Sequence, residues 1–137
     1  MRGVLVDSTI ILDVFLDDPN WAEWSESKLE KFSSITKLFI NPAVYSEVSI
    51  GFQRIEELEI ALNQTGFKML EIPKEALFLA GKAFLAYRKN KGPKRSPLPD
   101  FYIGAQAAIL KMDLLTRDPS RYRTYFPTVQ LITPKMM

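Results

Sequence analysis

The chain is expected to fold as an α/β three-layer sandwich around a mainly parallel central sheet of about five strands. Two observations carry that expectation. Short apolar segments of strand length alternate along the chain with longer segments whose apolar residues recur at helical spacing, which is the pattern of repeated βα units. The stretch Pro99–Asp118, PDFYIGAQAAILKMDLLTRD, then joins a segment apolar almost all round to a short apolar run. A helix of that kind is a buried one, lying against a sheet. A length of 137 residues leaves room for one domain with a proper core, and no repeat or linker divides it, so a single domain over residues 1–137 is expected.

Taken in order, Gly3–Val6 (GVLV) reads as a buried strand ending at Asp7. Ser8 or Thr9 can cap the next helix, whose inner side carries Ile10, Ile11, Val14 and Phe15 until Asp17-Asp18-Pro19-Asn20 breaks it. A second helix runs from Trp21 to about Phe32, and Lys37–Ile40 (KLFI) is the next strand. Asn41 and Pro42 open a helix containing Glu47. Gln53–Gln64 is amphipathic, with Ile55, Leu58 and Leu62 on one face and Gly66 closing it. Lys68–Ile72 (KMLEI) is a third strand, and Lys74–Arg88 a long helix with Ala76, Leu77, Ala80, Phe84 and Tyr87 at helical spacing.

Arg88–Pro97 (RKNKGPKRSP) is a basic loop. Pro99 suits the start of the helix that follows, and Gly104, Ala105, Ala107 and Ala108 let its backbone lie close against a sheet. Asp113–Arg117 is a fourth strand, stopped by Asp118-Pro119-Ser120. Arg121–Phe126 reads as a helical turn and Val129–Ile132 as a last short strand.

Lengths bring two acids together. A helix of about 12 residues spans roughly 18 Å, and a returning strand of about 5 residues spans roughly 17 Å. Asp100, at the helix start, and Asp118, past the strand end, therefore share one edge of the molecule. Open α/β sheets place their sites at that edge, the carboxyl ends of the strands. Asp7 ends the first strand and Glu47 lies early in the helix after the second, which puts all four acids at the same edge. Acids favour helix starts and turns in any α/β protein. No one of the four marks a site alone; their convergence does.

Composition narrows the chemistry. The chain has no histidine and no cysteine, which excludes Ser-His-Asp and Cys-His nucleophilic centres and leaves no nitrogen or sulfur ligand for zinc. The missing cysteine fits a reducing cytosol. The N-terminal run MRGVLVDSTIILDVFLDD is interrupted by Asp7 and Asp13 and reads as mature structure, and no stretch approaches the length of a membrane span.

Four gathered carboxylates need a cation, and oxygen-only ligands point to Mg²⁺ or Mn²⁺. Asp7, Glu47, Asp100 and Asp118 are the candidate ligands and catalytic residues, with Ser8 and Thr116 placed to orient them. Asp13 is a weaker candidate, better read as a solvated acid on a helix face. The net charge is only +2, so gathering these acids leaves the remaining surface basic. Arg88, Lys91, Lys94, Arg95, Arg117 and Arg121 flank Asp100 and Asp118 in sequence and are candidate contacts to the phosphates of a nucleic acid. Tyr102 and Tyr122 are candidates either for stacking on bases or for packing, and Trp21 and Trp24 either for core or for a partner surface.

At these positions the chain resembles the PIN-domain ribonucleases. Asp7 in VLVDSTIIL, Glu47 in AVYSEVSIGF, Asp100 in LPDFYIGAQAAI and Asp118 in LLTRDPSRYRTYFP are similar to that family's four acidic positions. The resemblance spans nearly the whole chain and runs closest to the VapC toxins. It implies a Mg²⁺- or Mn²⁺-dependent endoribonuclease, a homodimer, and a cognate antitoxin whose tail enters the acidic groove. Met112-Asp113 departs from the family, standing where many relatives have a glycine turn, and Ser8-Thr9-Ile10 varies the usual opening; neither removes a carboxylate. Two rivals differ in kind. A phosphoacceptor receiver domain would want paired acids after the first strand and a lysine after the last, whereas Asp7 stands alone and Pro134 follows the last strand. A non-catalytic RNA-binding or interaction module would keep the fold and lose the metal.

Overall fold

A computed structural model describes residues 3–95 and 98–134. Five strands form one sheet in the order β3-β2-β1-β4-β5, every pairing parallel. They are β1 (Val4–Val6), β2 (Leu38–Ile40), β3 (Lys68–Met69), β4 (Asp113–Leu115) and β5 (Leu131–Ile132). Helices α1 (Ser8–Phe15) and α2 (Ala22–Ser33) connect β1 to β2, and α3 (Pro42–Val48) and α4 (Ile55–Thr65) connect β2 to β3. The crossover to β4 uses α5 (Lys74–Lys89) and α6 (Pro99–Leu110), and α7 (Ser120–Tyr125) leads to β5. The predicted class and strand order along the chain hold. No helix among the described residues is long and apolar enough to cross a membrane.

The central strand β1 pairs with β2 on one side and β4 on the other, so the winding reverses between β1 and β4. A crevice opens outside the strand ends at such a reversal. Leu5, Val6, Leu114 and Leu115 are fully buried beneath it, as expected for strands covered on both faces.

Every strand is shorter than the sequence implies, β1 and β2 by one residue and β3, β4 and β5 by more. Lys68–Ile72 pairs regularly only over Lys68–Met69, with Leu70 donating one more bond to Ile40 before Pro73 opens α5. Proline has no N–H to continue a ladder. Asp113–Arg117 ends as a regular strand at Leu115, with the Thr116 backbone donating one more bond to the Ile132 carbonyl at 3.1 Å.

Helix α6 is buried from Phe101 through Ala107 apart from a half-buried Tyr102, as its composition implied. The close approach made by Gly104 is to a ring: a Cβ there would collide with Phe126. The one strongly polar residue on its buried part, Gln106, is completely enclosed. It accepts from Asn41 Nδ2 at 3.0 Å and donates to the Glu71 carbonyl at 3.0 Å. Asn41 also caps α3 by accepting from Val44 N at 2.9 Å. One buried amide relay thus sets α3 and α6 against each other, and with them Glu47 and Asp100.

Some smaller expectations change. Ile55 and Leu77, assigned to inner faces, are 64% and 44% exposed, each lying at the margin of its helix's apolar stripe. Residue 7, not 8 or 9, holds the cap position of α1, and its carboxylate makes no capping bond. Ser96 and Pro97, the end of the expected loop, lie outside the described residues.

Candidate active site

Asp7 follows β1 directly, and the β1–β4 register sets Val6 beside Leu115. Thr116 therefore arrives next to Asp7 and donates to its Oδ2 at 2.7 Å, both side chains being buried. The Asp7 carboxylate makes no capping bond to α1 and lies instead among the hydroxyls of Ser8, Thr9 and Thr116. Ser8, the first residue of α1, donates to Glu47 Oε1 at 2.7 Å and lies 3.4 Å from Asp7 Oδ1. A single hydroxyl thus binds one acid and stands beside another from a different βα unit.

Electrostatics link a third acid to this pair. Burial pushes the Asp7 carboxyl above the usual carboxylate range against the opposing Thr116 bond, and the nearby charge of Asp100 adds to the push. Burial likewise raises Glu47, opposed by the Ser8 bond, with Asp7 and Asp100 adding repulsion. Asp100 occupies the first turn of α6, where the helix dipole favours negative charge. The structure thus brings Asp7, Glu47 and Asp100 within one another's fields.

Asp118 joins through the cleft. Asp100, Asp118, Ser120 and Arg121, with the rings of Tyr87 and Tyr125, line a cleft of about 350 Å³. Asp118 is anchored by its backbone N–H donating to Thr116 Oγ1 at 3.1 Å, while its side chain is 64% exposed. As the side chains stand, no three acidic groups among the described residues are placed to hold a metal ion. The donor chemistry nevertheless fits a hard divalent cation: all ligand atoms are oxygen, and two of the carboxyls are raised by burial and by neighbouring acids.

The basic residues are placed unevenly. Arg121 donates to Asp100 Oδ2 at 3.0 Å, inside the cleft. Arg117 turns inward, its Nε 2.8 Å from Asp13 and its guanidinium 5.5 Å above the Trp21 ring. Arg88 binds the carbonyls of Gly92 and Lys94 and so folds its own loop. Lys91, Lys94 and Arg95 are exposed on that loop.

Asp13 corrects the sequence reading. It is buried, not solvated, and it accepts from Ser25 at 2.9 Å as well as from Arg117. Its spacing places it on the same face as Ile10 and not on the outer one, a signal that its charge obscured. Tyr122 is 2% exposed and unavailable for stacking on a base. Burial raises its hydroxyl well above the ordinary value, and the charges of Asp7, Asp100 and Glu47 add to this. It forms part of the floor beneath the acids. Tyr102 is half-buried, and Trp21 and Trp24 pack edge to face with centroids 6.0 Å apart.

A family model for the PIN domain matches residues 4–127. No curated protein matches the chain. Among solved structures, the fold is similar to a chain of VapBC2 from Rickettsia felis bound to a promoter DNA fragment, at TM-score 0.73 and 14% identity over 97% of this chain and 99% of that one. A chain of VapBC-1 from nontypeable Haemophilus influenzae superposes at TM-score 0.71 and 16% identity, covering 96% and 97%. A chain of a toxin–antitoxin complex from Klebsiella pneumoniae reaches 0.65 at 21% identity, covering 98% and 99%.

Proposed function

The chain belongs to the PIN domain family, and from that premise we propose that it is a Mg²⁺- or Mn²⁺-dependent endoribonuclease, the toxin of a toxin–antitoxin pair. The observation that carries the reading is the gathering of Asp7 and Glu47 around the Ser8 hydroxyl, with Asp100 near enough to raise both. Asp7, Glu47, Asp100 and Asp118 are the residues that would hold the metal. A bound divalent ion supplies a water acidic enough to attack at neutral pH and neutralises charge on a phosphoryl group. Thr116 and Ser8 fix the carboxylate orientations through 2.7 Å bonds, and Arg121 presents positive charge to an RNA phosphate in the cleft. The basic loop residues Lys91, Lys94 and Arg95 extend that attraction along the strand.

A cognate antitoxin and a second copy of the chain are the proposed protein partners; the chains of similar fold in VapBC structures support the first. Purified protein is expected to cut RNA internally with Mg²⁺ or Mn²⁺ and to stop in EDTA. Cleavage by a clean preparation without metal would overturn the reading. A non-catalytic PIN module has one observation in its favour, the lack of three acids already poised around an ion among the described residues. It requires that neither cation shift the melting of the protein.

A further inference from the structure

The Arg121–Asp100 pair stands apart from the other charge contacts at this edge. Its two side chains are 32% and 33% exposed at 3.0 Å separation, on the wall of the cleft that Asp118 also lines. The same guanidinium lies 5.3 Å from the Tyr87 ring centroid and 5.7 Å from that of Phe101. The other nearby arginine, Arg117, is held chiefly by Asp13 and Trp21 and reaches Asp118 only at 3.7 Å, without lining the cleft. Among the described residues, Arg121 is the cation that lines the cleft.

We propose that Arg121 is an in-chain counter-ion of Asp100 which a divalent ion displaces, and that the displaced guanidinium then takes an RNA phosphate in the same cleft. The inference rests on the metal-dependent nuclease reading above. A carboxylate cannot serve a guanidinium and a hard cation fully at once, and the two positive charges repel. Displacement does not send Arg121 into solvent, because the Tyr87 and Phe101 faces attract the guanidinium whether or not Asp100 does. Its planar fork of donors matches two phosphate oxygens as well as it matches a carboxylate. The pair therefore gives Asp100 a counter-ion before metal arrives and delivers a phosphate-binding group once it has.

The sign of one effect separates this from simple support of a ligand. An arginine that positioned Asp100 for the metal would strengthen metal binding; a competing arginine weakens it. The test titrates Mn²⁺ by calorimetry into the full chain without RNA, for wild type, Arg121→Gln and Arg121→Lys. Binding of a short single-stranded RNA with non-hydrolysable backbone linkages is measured alongside in saturating Mn²⁺. Arg121→Gln is expected to bind Mn²⁺ about two- to sixfold tighter, the factor set by a part-exposed ion pair, and to bind RNA about threefold or more weakly. Arg121→Lys, which keeps the charge without the fork, is expected to bind Mn²⁺ as wild type does and RNA less well; it remains readable if the glutamine variant does not fold. Weaker Mn²⁺ binding by Arg121→Gln, or unchanged RNA binding by both variants, overturns the proposal while leaving the nuclease reading in place. Failure of wild type to bind Mn²⁺ removes both.

Discussion

Thr116 donates its hydroxyl to Asp7 across 2.7 Å, joining side chains 109 residues apart in sequence. The same oxygen accepts from the Asp118 backbone N–H at 3.1 Å. One threonine thus orients an acid of the first strand and the turn that carries an acid of the fourth. Groups that orient metal ligands in this way commonly tune affinity by tenfold or more.

Thr116→Val, which keeps the shape and deletes the hydroxyl, is therefore expected to weaken Mn²⁺ binding by about tenfold. It should also lower stability by about 1–2 kcal/mol through the two lost hydrogen bonds. Calorimetric titration beside urea unfolding reads both. A destabilised variant whose Mn²⁺ affinity matches wild type would make Thr116 a structural residue only.

The raised carboxyls of Asp7 and Glu47 set the sign of a pH dependence. A folded-state pKa above the unfolded value means that the native state binds more protons between the two values. Stability then falls as pH rises through that window, which begins near the unfolded carboxyl pKa of about 4. In EDTA, Asp7→Asn and Glu47→Gln should each gain on wild type as pH climbs from about 4 to 7. Urea midpoints at both ends of that range check this; a gap that stays constant with pH would contradict it.

Most of the fold was legible because its elements are marked locally. Strand β1 is an uninterrupted apolar run, helix α6 is apolar almost all round, and Gly66 ends α4 in the left-handed conformation. The shared edge of Asp100 and Asp118 was expected from element lengths, and that of Asp7 and Glu47 from their places at strand ends. What local pattern could not show was pairing. Asp13 resembles any helix-surface acid until Ser25 and Arg117 arrive from elsewhere in the chain to bind it. Arg117 and Arg121 are equivalent as members of a basic segment, yet one turns to Trp21 and the other to Asp100. Gln106 was visible as an oddity on an apolar helix, but its partners Asn41 and Glu71 are set by the tertiary fold.

The exposed loop cations give a salt-dependent prediction. Arg88 spends its donors on the carbonyls of Gly92 and Lys94, leaving Lys91, Lys94 and Arg95 exposed along the loop. Neutralising those three together should weaken RNA binding and flatten its salt dependence by about one slope unit per lost phosphate contact. A salt slope equal to that of wild type would make the loop a connector without a part in RNA binding.

The most direct test of the carboxylate site is the melting of wild type and Glu47→Gln with and without Mn²⁺, run beside an RNA cleavage assay. Glutamine can still accept from Ser8, so that hydrogen bond is retained while one of the mutually repelling charges is removed. Without metal, the variant should be as stable as wild type or better, by up to about 1 kcal/mol given that Glu47 is only half-buried. Added Mn²⁺ should stabilise wild type progressively by binding linkage and the variant much less, and the variant should no longer cut RNA. A wild type indifferent to Mn²⁺, together with a Glu47→Gln protein that still cleaves, would contradict a metal site built on Asp7, Glu47, Asp100 and Asp118.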